Sequence, residues 1–250
     1  MRHIDSQEAV VSLHGVSRVY NGAARSQRVL QDVTFAAEPR SMHLLLGPSG
    51  SGKTTLLLIA AGLLRPTSGS VHLFGTSIEH YRQPELQRLR AEKIGFVFQT
   101  FRLIDTLNVR ANVALIGQFV GLSRATSLSR ADTMLSSLGI AHLADKDPSI
   151  LSQGEKQRVG IARALFSQPR LVLADEPTAC LSADQGQVVI DTLSDYAHES
   201  KACVLVASHD LRLTERADVI HELTGGRLLT RHPNQSIRQR SPVPSQLSST

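Results

Sequence analysis

The chain has 250 residues, 41% of them hydrophobic and 20% charged, with a formal net charge of +5. That balance suits one large α/β domain, or a core carrying one inserted subdomain, and excludes a fibrous or low-complexity chain. The basic residues are scattered rather than clustered, which favours a solvated surface over a nucleic-acid-binding patch, so no nucleic-acid partner is expected. In chain order, Met1–Glu8 is polar and lacks the apolar core of a signal peptide. Residues 9–13 and 18–20 read as short strands around His14-Gly15, and residues 29–36 alternate as a half-buried strand. Residues 42–46 form an apolar strand, followed by a glycine-rich loop and a helix from Lys53 to about Leu63. Further strands are expected at 70–74 and 93–98, with helical periodicity from Thr106 to Pro148. A second long helix runs from about Glu155 to Phe166. Residues 171–174 and 202–207 are continuous apolar strands of the buried parallel kind, separated by a helix over 184–200. A short helix at 211–217 and a hairpin turning at Gly225-Gly226 complete the pattern, and residues 231–250 read as a disordered tail. Alternating strands and helices predict a mostly parallel sheet covered on both faces.

The loop at 47–54 reads Gly47-Pro48-Ser49-Gly50-Ser51-Gly52-Lys53-Thr54, the G-x-x-x-x-G-K-T spacing of a phosphate-binding P-loop between strand and helix. Glycines let backbone amides turn inward, and with the positive helix end they cradle phosphate oxygens. Lys53 is expected to reach the β- and γ-phosphates and Thr54 to hold Mg²⁺, with Thr55 counted among the binding residues. The longest strongly apolar run, Leu56–Leu64, is far shorter than the ~20 residues that cross a bilayer.

The strand Leu171-Val172-Leu173-Ala174 delivers Asp175 and Glu176 to its carboxyl end, where ligands bind in parallel sheets. Asp175 is expected to hold Mg²⁺, and Glu176 to polarise an attacking water. Leu151-Ser152-Gln153-Gly154-Glu155 precedes a helix. Ser152 suits an N-cap, Gly154 leaves room for an anion, and the Ser152/Glu155 spacing also fits a plain capping box. Cys180 and Cys203 have no metal or disulfide spacing, which fits a reducing compartment, and Cys203 is expected to be a small buried residue.

The order P-loop, Gln99, LSQGE, LVLADE and His209 resembles the ATP-binding cassette (ABC) ATPases over roughly residues 9–230. The resemblance implies a RecA-like P-loop NTPase core with an N-terminal antiparallel β element and a helical subdomain inserted at about 100–160. It implies that Tyr20 stacks on adenine and that Gln99 touches Mg²⁺ and the attacking water while facing a transmembrane partner. It further implies that Glu176 is the catalytic glutamate and that His209 contacts the γ-phosphate. ATP and Mg²⁺ are the implied ligands. Ser152 and Gly154 are implied to close on ATP held by another subunit, giving a head-to-tail homodimer.

Two departures stand out. Gln153 and Glu155 replace a glycine and a glutamine of the signature, while Ser152 and Gly154 are kept. Ser182 stands where the resemblance implies an aspartate that helps the two ATP sites communicate, which predicts slower hydrolysis or coupling, or looser coordination of the two sites. Residues 100–114 resemble the subgroup serving lipoprotein release and macrolide efflux. The expected function is therefore the ATPase of a membrane exporter, peripheral at the cytoplasmic face and paired with separate permease subunits. The alternatives are a force-transmitting regulator of a membrane partner or a soluble ABC ATPase. The latter usually carries coiled-coil or duplicated insertions, none of which is present.

Overall fold

The computed structural model describes residues 9–22 and 26–232. The tail expectation therefore lies almost wholly outside the described residues. In chain order the elements are β1 (Val11–Asn21), β2 (Ser26–Ala37), β3 (Ser41–Leu46), α1 (Lys53–Ala60), β4 (Ser68–Leu73), β5 (Thr76–Ser77), α2 (Gln83–Lys93) and β6 (Ile94–Val97). Then come α3 (Val109–Ala114), α4 (Ile116–Phe119), α5 (Arg124–Ser137), α6 (Gln153–Leu165), β7 (Leu171–Asp175), α7 (Ala183–Glu199), β8 (Cys203–Ser208), β9 (Val219–Thr224) and β10 (Arg227–Arg231).

Two sheets result. One is antiparallel with strand order β2-β1-β4-β5; the other has order β10-β9-β3-β8-β7-β6 and is parallel apart from the β9–β10 hairpin. Strands β3, β7 and β8 are buried along their whole length, which is why they read as unbroken apolar runs. Alternate residues serve opposite faces. Leu45, Leu173 and Leu205 pack with α1 and the antiparallel sheet, while Leu44, Val172 and Val204 pack with Ile161 of α6 and with Val189 and Leu193 of α7. A third apolar core joins Val109 and Val113 of α3 and Leu135 of α5 to Val159 of α6. Helix α6 therefore links the inserted helices to the sheet. Cys203 is fully buried, as expected of a small core residue.

Among the differences from the sequence expectation, two bear on the sheets and their cover; the helix expected at 211–217 is a 3₁₀ stretch over Leu211–Glu215. The short strands flanking His14-Gly15 are one continuous strand, β1, whose register with β2 shifts between Leu13 and Val16. Gly15 takes a φ of 60°, and its amide donates to Thr34 Oγ1 at 2.9 Å, so the irregularity is absorbed as a bulge. Helix α2 was not anticipated at all. Only Leu86 and Leu89 of it are buried, so its apolar period is too sparse to read. It is held locally instead: Glu85 accepts the Arg82 amide at 2.8 Å, and Arg88 pairs with Glu92 one turn on.

Candidate functional site: a phosphate cleft at the sheet's carboxyl edge

Parallel register puts three strand ends side by side. Leu46 pairs with Ser208, and Asp175 with Ala207. The P-loop, the Asp175-Glu176 pair and His209 therefore leave the sheet at one edge, around an open cleft of about 660 Å³. The cleft is lined by Ser49, Gly50, Gly52, Lys53, Thr54 and Thr55 of the loop and α1, by Gln99, Asp175, Glu176 and His209, and by Tyr20, Gln27 and Val29 of the antiparallel sheet. Gly47, Pro48 and Ser51 shape the loop without lining the cleft.

Glycine is required in this loop at Gly52, which combines a φ of 105° with a close approach to Val29. Gly47 is equally confined, since a Cβ there would lie 2.5 Å from the Leu223 carbonyl oxygen. Lys53 is almost buried. Its Nζ donates to the Gly47 carbonyl at 2.8 Å and the Pro48 carbonyl at 3.3 Å, and lies 3.3 Å from Glu176 Oε1. The lysine therefore sits inside its own loop with its charge facing the carboxylate opposite.

Thr54 Oγ1 donates to Asp175 Oδ2 at 2.8 Å. Asp175 Oδ1 is buried without a hydrogen-bond partner, and burial raises its carboxyl above the ordinary range, against the lowering effect of the Thr54 bond. A buried, incompletely satisfied carboxylate beside a hydroxyl is a hard-oxygen donor set, which fits Mg²⁺. Among the described residues no cluster of three or more His, Cys, Asp and Glu side chains forms a metal cage.

Glu176 has a φ of 47°, uncommon for a residue with a Cβ, and its amide donates to the Ala207 carbonyl at 2.8 Å. Glu176 Oε2 lies 2.9 Å from His209 Nδ1 and accepts the Ser208 hydroxyl at 3.2 Å. Ser208 was missed by sequence reasoning, because a serine ending an apolar strand carries no signal of its own. Tyr20 is 40% exposed, with its hydroxyl 3.5 Å from Thr55 Oγ1 and the Arg18 guanidinium 4.6 Å from its ring centre.

Ser152 and Gly154 contribute nothing to this cleft. They begin α6, where Ser152 is the N-cap and the reciprocal capping box with Glu155 is formed. The Gln185 side chain of α7 packs over Gly154. Ser182 is the N-cap of α7, accepting the Gln185 amide at 3.4 Å, so it keeps the capping role open to an aspartate without the charge.

A family model described as ABC transporter matches residues 30–179. The chain belongs to the ABC transporter family. It is 38% identical to the lipoprotein-releasing system ATP-binding protein LolD of Hyphomonas neptunium over 222 residues, 89% of this chain and 97% of that protein. It is 37% identical to the macrolide export ATP-binding/permease protein MacB of Agrobacterium fabrum over 229 residues, covering 92% of this chain but 35% of the longer relative. Among solved structures it resembles a dimeric ATP-binding cassette in a post-hydrolysis state bound to ADP and Pi, with a TM-score of 0.84 and 32% identity over 89% of this chain and 98% of that one. The chain is thus an ATP-binding cassette of a transporter, related to the lipoprotein-release and macrolide-export cassettes. No helix of the described residues is long and apolar enough to cross a membrane.

Proposed function

We propose that the chain hydrolyses ATP with Mg²⁺ and works as a head-to-tail homodimer on separate permease subunits, at the cytoplasmic face of the membrane, to drive export. The observation that carries this reading is the convergence of Lys53, Thr54, Asp175, Glu176, Gln99 and His209 on one cleft. The P-loop amides and Lys53 bind the triphosphate, and the lysine exchanges its loop carbonyls for phosphate oxygens. Thr54 and Asp175 hold Mg²⁺, which offsets phosphate charge. Glu176, oriented by Ser208 and His209, accepts a proton from the attacking water, and His209 then faces the terminal phosphate. Gln99 orients that water, and Tyr20 offers its ring to the base.

The signature supports the dimer. Ser152 and Gly154 lie outside the cleft of their own chain, and one helix N-terminus stabilises an anion by only about 0.3–1 kcal/mol, so it acts best by closing over phosphate already bound. The similar solved cassette is itself dimeric. For the permease, a groove of about 380 Å³ lies between α2, β6, α4 and α6, lined by Phe96, Phe98 and Phe119 together with Arg90, Arg102 and Arg163. The printed name of MacB combines an ATP-binding part with a permease.

The test is steady-state ATP hydrolysis by the full chain and by Glu176→Gln. Loss of the general base is expected to lower turnover by about 10²–10⁴-fold. Hydrolysis by the variant at the wild-type rate would overturn the reading. Sedimentation of Glu176→Gln should show a dimer with Mg²⁺-ATP and a monomer with ADP, and monomer under both conditions removes the dimer.

A further inference from the structure

Behind the cleft lies a second polar assembly that the proposed chemistry does not use. Arg212 Nε donates to Asp210 Oδ1 at 2.9 Å and Oδ2 at 3.1 Å, and its Nη2 donates to Oδ2 at 2.6 Å. The remaining arm, Nη1, donates to the Ala183 carbonyl at 2.7 Å. Asp210 Oδ2 also accepts the Thr178 hydroxyl at 3.0 Å. Asp210 directly follows His209, Thr178 lies two residues after Glu176, and Ala183 opens α7. Arg212 crosses α7 at Gly186, where a Cβ would lie 2.8 Å from Nη2. The carboxyl of Asp210 is held below its ordinary range chiefly by its bonds to Arg212.

We propose that Arg212 is a positioning residue that clasps the His209 segment to the segment running from Glu176 into α7. The proposal rests on the hydrolysis reading above. An exposed ion pair contributes little, but this one is a charge-assisted fork with a third anchor on backbone, and such geometry fixes position as well as energy. A lysine cannot reproduce it, since a point charge on a flexible stem lacks the fork. The same first turn of α7 carries Gln185, whose amide packs over Gly154. Arg212 therefore holds, in one chain, the piece of backbone lying between the cleft's His209–Glu176 pair and the signature residues. Ser182 adds no charge to the segment, so Arg212 joins the pairings of Glu176 with Lys53 and His209 as a charged tie on it.

The experiment measures kcat and KM for ATP in the full chain, Arg212→Ala, Gly186→Ala and Glu176→Gln. Gly186→Ala is the control against misfolding: alanine favours a helix, and its methyl displaces the guanidinium without removing either charge. Both clasp variants are expected to lose about tenfold in kcat with KM within about twofold, the pattern of misplaced groups in a site that still binds. Asp210→Asn combined with Arg212→Ala should lose no more than either alone, because the two act as one unit. If Arg212→Ala and Gly186→Ala keep kcat within about twofold of wild type while Glu176→Gln is inactive, the clasp is wrong and the hydrolysis reading stands. A fall in kcat matched by lost ATP binding or lost melting temperature also overturns it, as does additivity of the double variant. Full activity in Glu176→Gln instead removes the reading on which the clasp depends.

Discussion

The Ser152 hydroxyl donates to Glu155 Oε2 at 2.7 Å, and the same oxygen accepts the Ser152 amide at 2.8 Å. These bonds hold the Glu155 carboxyl below its usual range, so it is ionised at neutral pH. The proton of the serine that should meet a partner-bound phosphate is thus committed to a carboxylate of its own helix. Closing on phosphate has to exchange one anionic acceptor for another, with a negative charge left nearby.

Glu155→Gln is therefore expected to strengthen ATP-driven dimerisation. Removing one like charge near 4 Å in a water-exposed setting changes the energy by about 1 kcal/mol, or roughly fivefold in the dimer constant. Glutamine still serves a capping box, so the melting temperature should hardly move. Sedimentation equilibrium in the Glu176→Gln background reads the constant, and an unchanged or weaker dimer contradicts the argument.

Asp175 leads to a prediction of opposing signs. Its carboxylate is partly desolvated and under-bonded, so Asp175→Asn should raise the melting temperature of the ligand-free chain while keeping an acceptor for Thr54. The same change should abolish the extra stabilisation that Mg²⁺ adds to ATP binding, because linkage requires a cation held by the folded site. Thermal shifts with ATP in Mg²⁺ and in EDTA measure both effects. A variant that keeps the full Mg²⁺ increment shows that the cation is held elsewhere.

Acid sensitivity follows from a buried histidine pair. His43 Nδ1 lies 3.0 Å from His221 Nε2, with Ser41 and Thr230 completing the chain of contacts. Burial pushes His221 down to about 4 and His43 well below the ordinary value; the neighbouring imidazoles act in the same direction. Glu38 approaches His43 at 3.7 Å but does not offset the burial, so both rings are neutral in the fold. The unfolded chain binds protons near pH 6.5 and the folded one only further down, so stability is complete above that value and falls as pH drops toward 4. Urea midpoints at pH 7.5, 6 and 5 should decline, with a shallower decline in His221→Gln. Equal slopes in the two proteins would count against this source.

Asn112 is fully buried on α3. Its Oδ1 accepts the Ile104 amide at 2.7 Å, and its Nδ2 donates to the carbonyls of Ile104, Leu107 and Asn108 at 2.8–3.1 Å. Asn112→Ala removes the side-chain partner of the Ile104 amide and the Leu107 carbonyl and empties a buried position, at a cost of about 1–3 kcal/mol by denaturant titration. A loss below about 1 kcal/mol would mean that water replaces the side chain without penalty.

What could be read from the chain divides by range. The P-loop, the Asp175-Glu176 pair and the buried strands are local patterns, so residue type and spacing carried them. Ser208, Asp210 and Arg212 act on groups brought near by strand register and by α7, and neither composition nor spacing marks them. Helix α2 was hidden because its stability comes from capping and exposed pairs rather than an apolar stripe. The LSQGE segment carried both a cap and a phosphate reading in sequence; in the fold the cap is formed, and the second use waits on a partner.

Arg18 stacks on Tyr20, and its Nη1 is tied to the Arg65 carbonyl at 3.0 Å. Tyr20 itself lines the cleft, within reach of a base bound there. A flat ring offers no hydrogen-bonding code, and every nucleobase has a π-face to lay against it. If Tyr20 stacks on the base in this way, guanosine triphosphate should drive turnover nearly as well as the adenosine form, an expectation that steady-state hydrolysis of the two nucleotides checks.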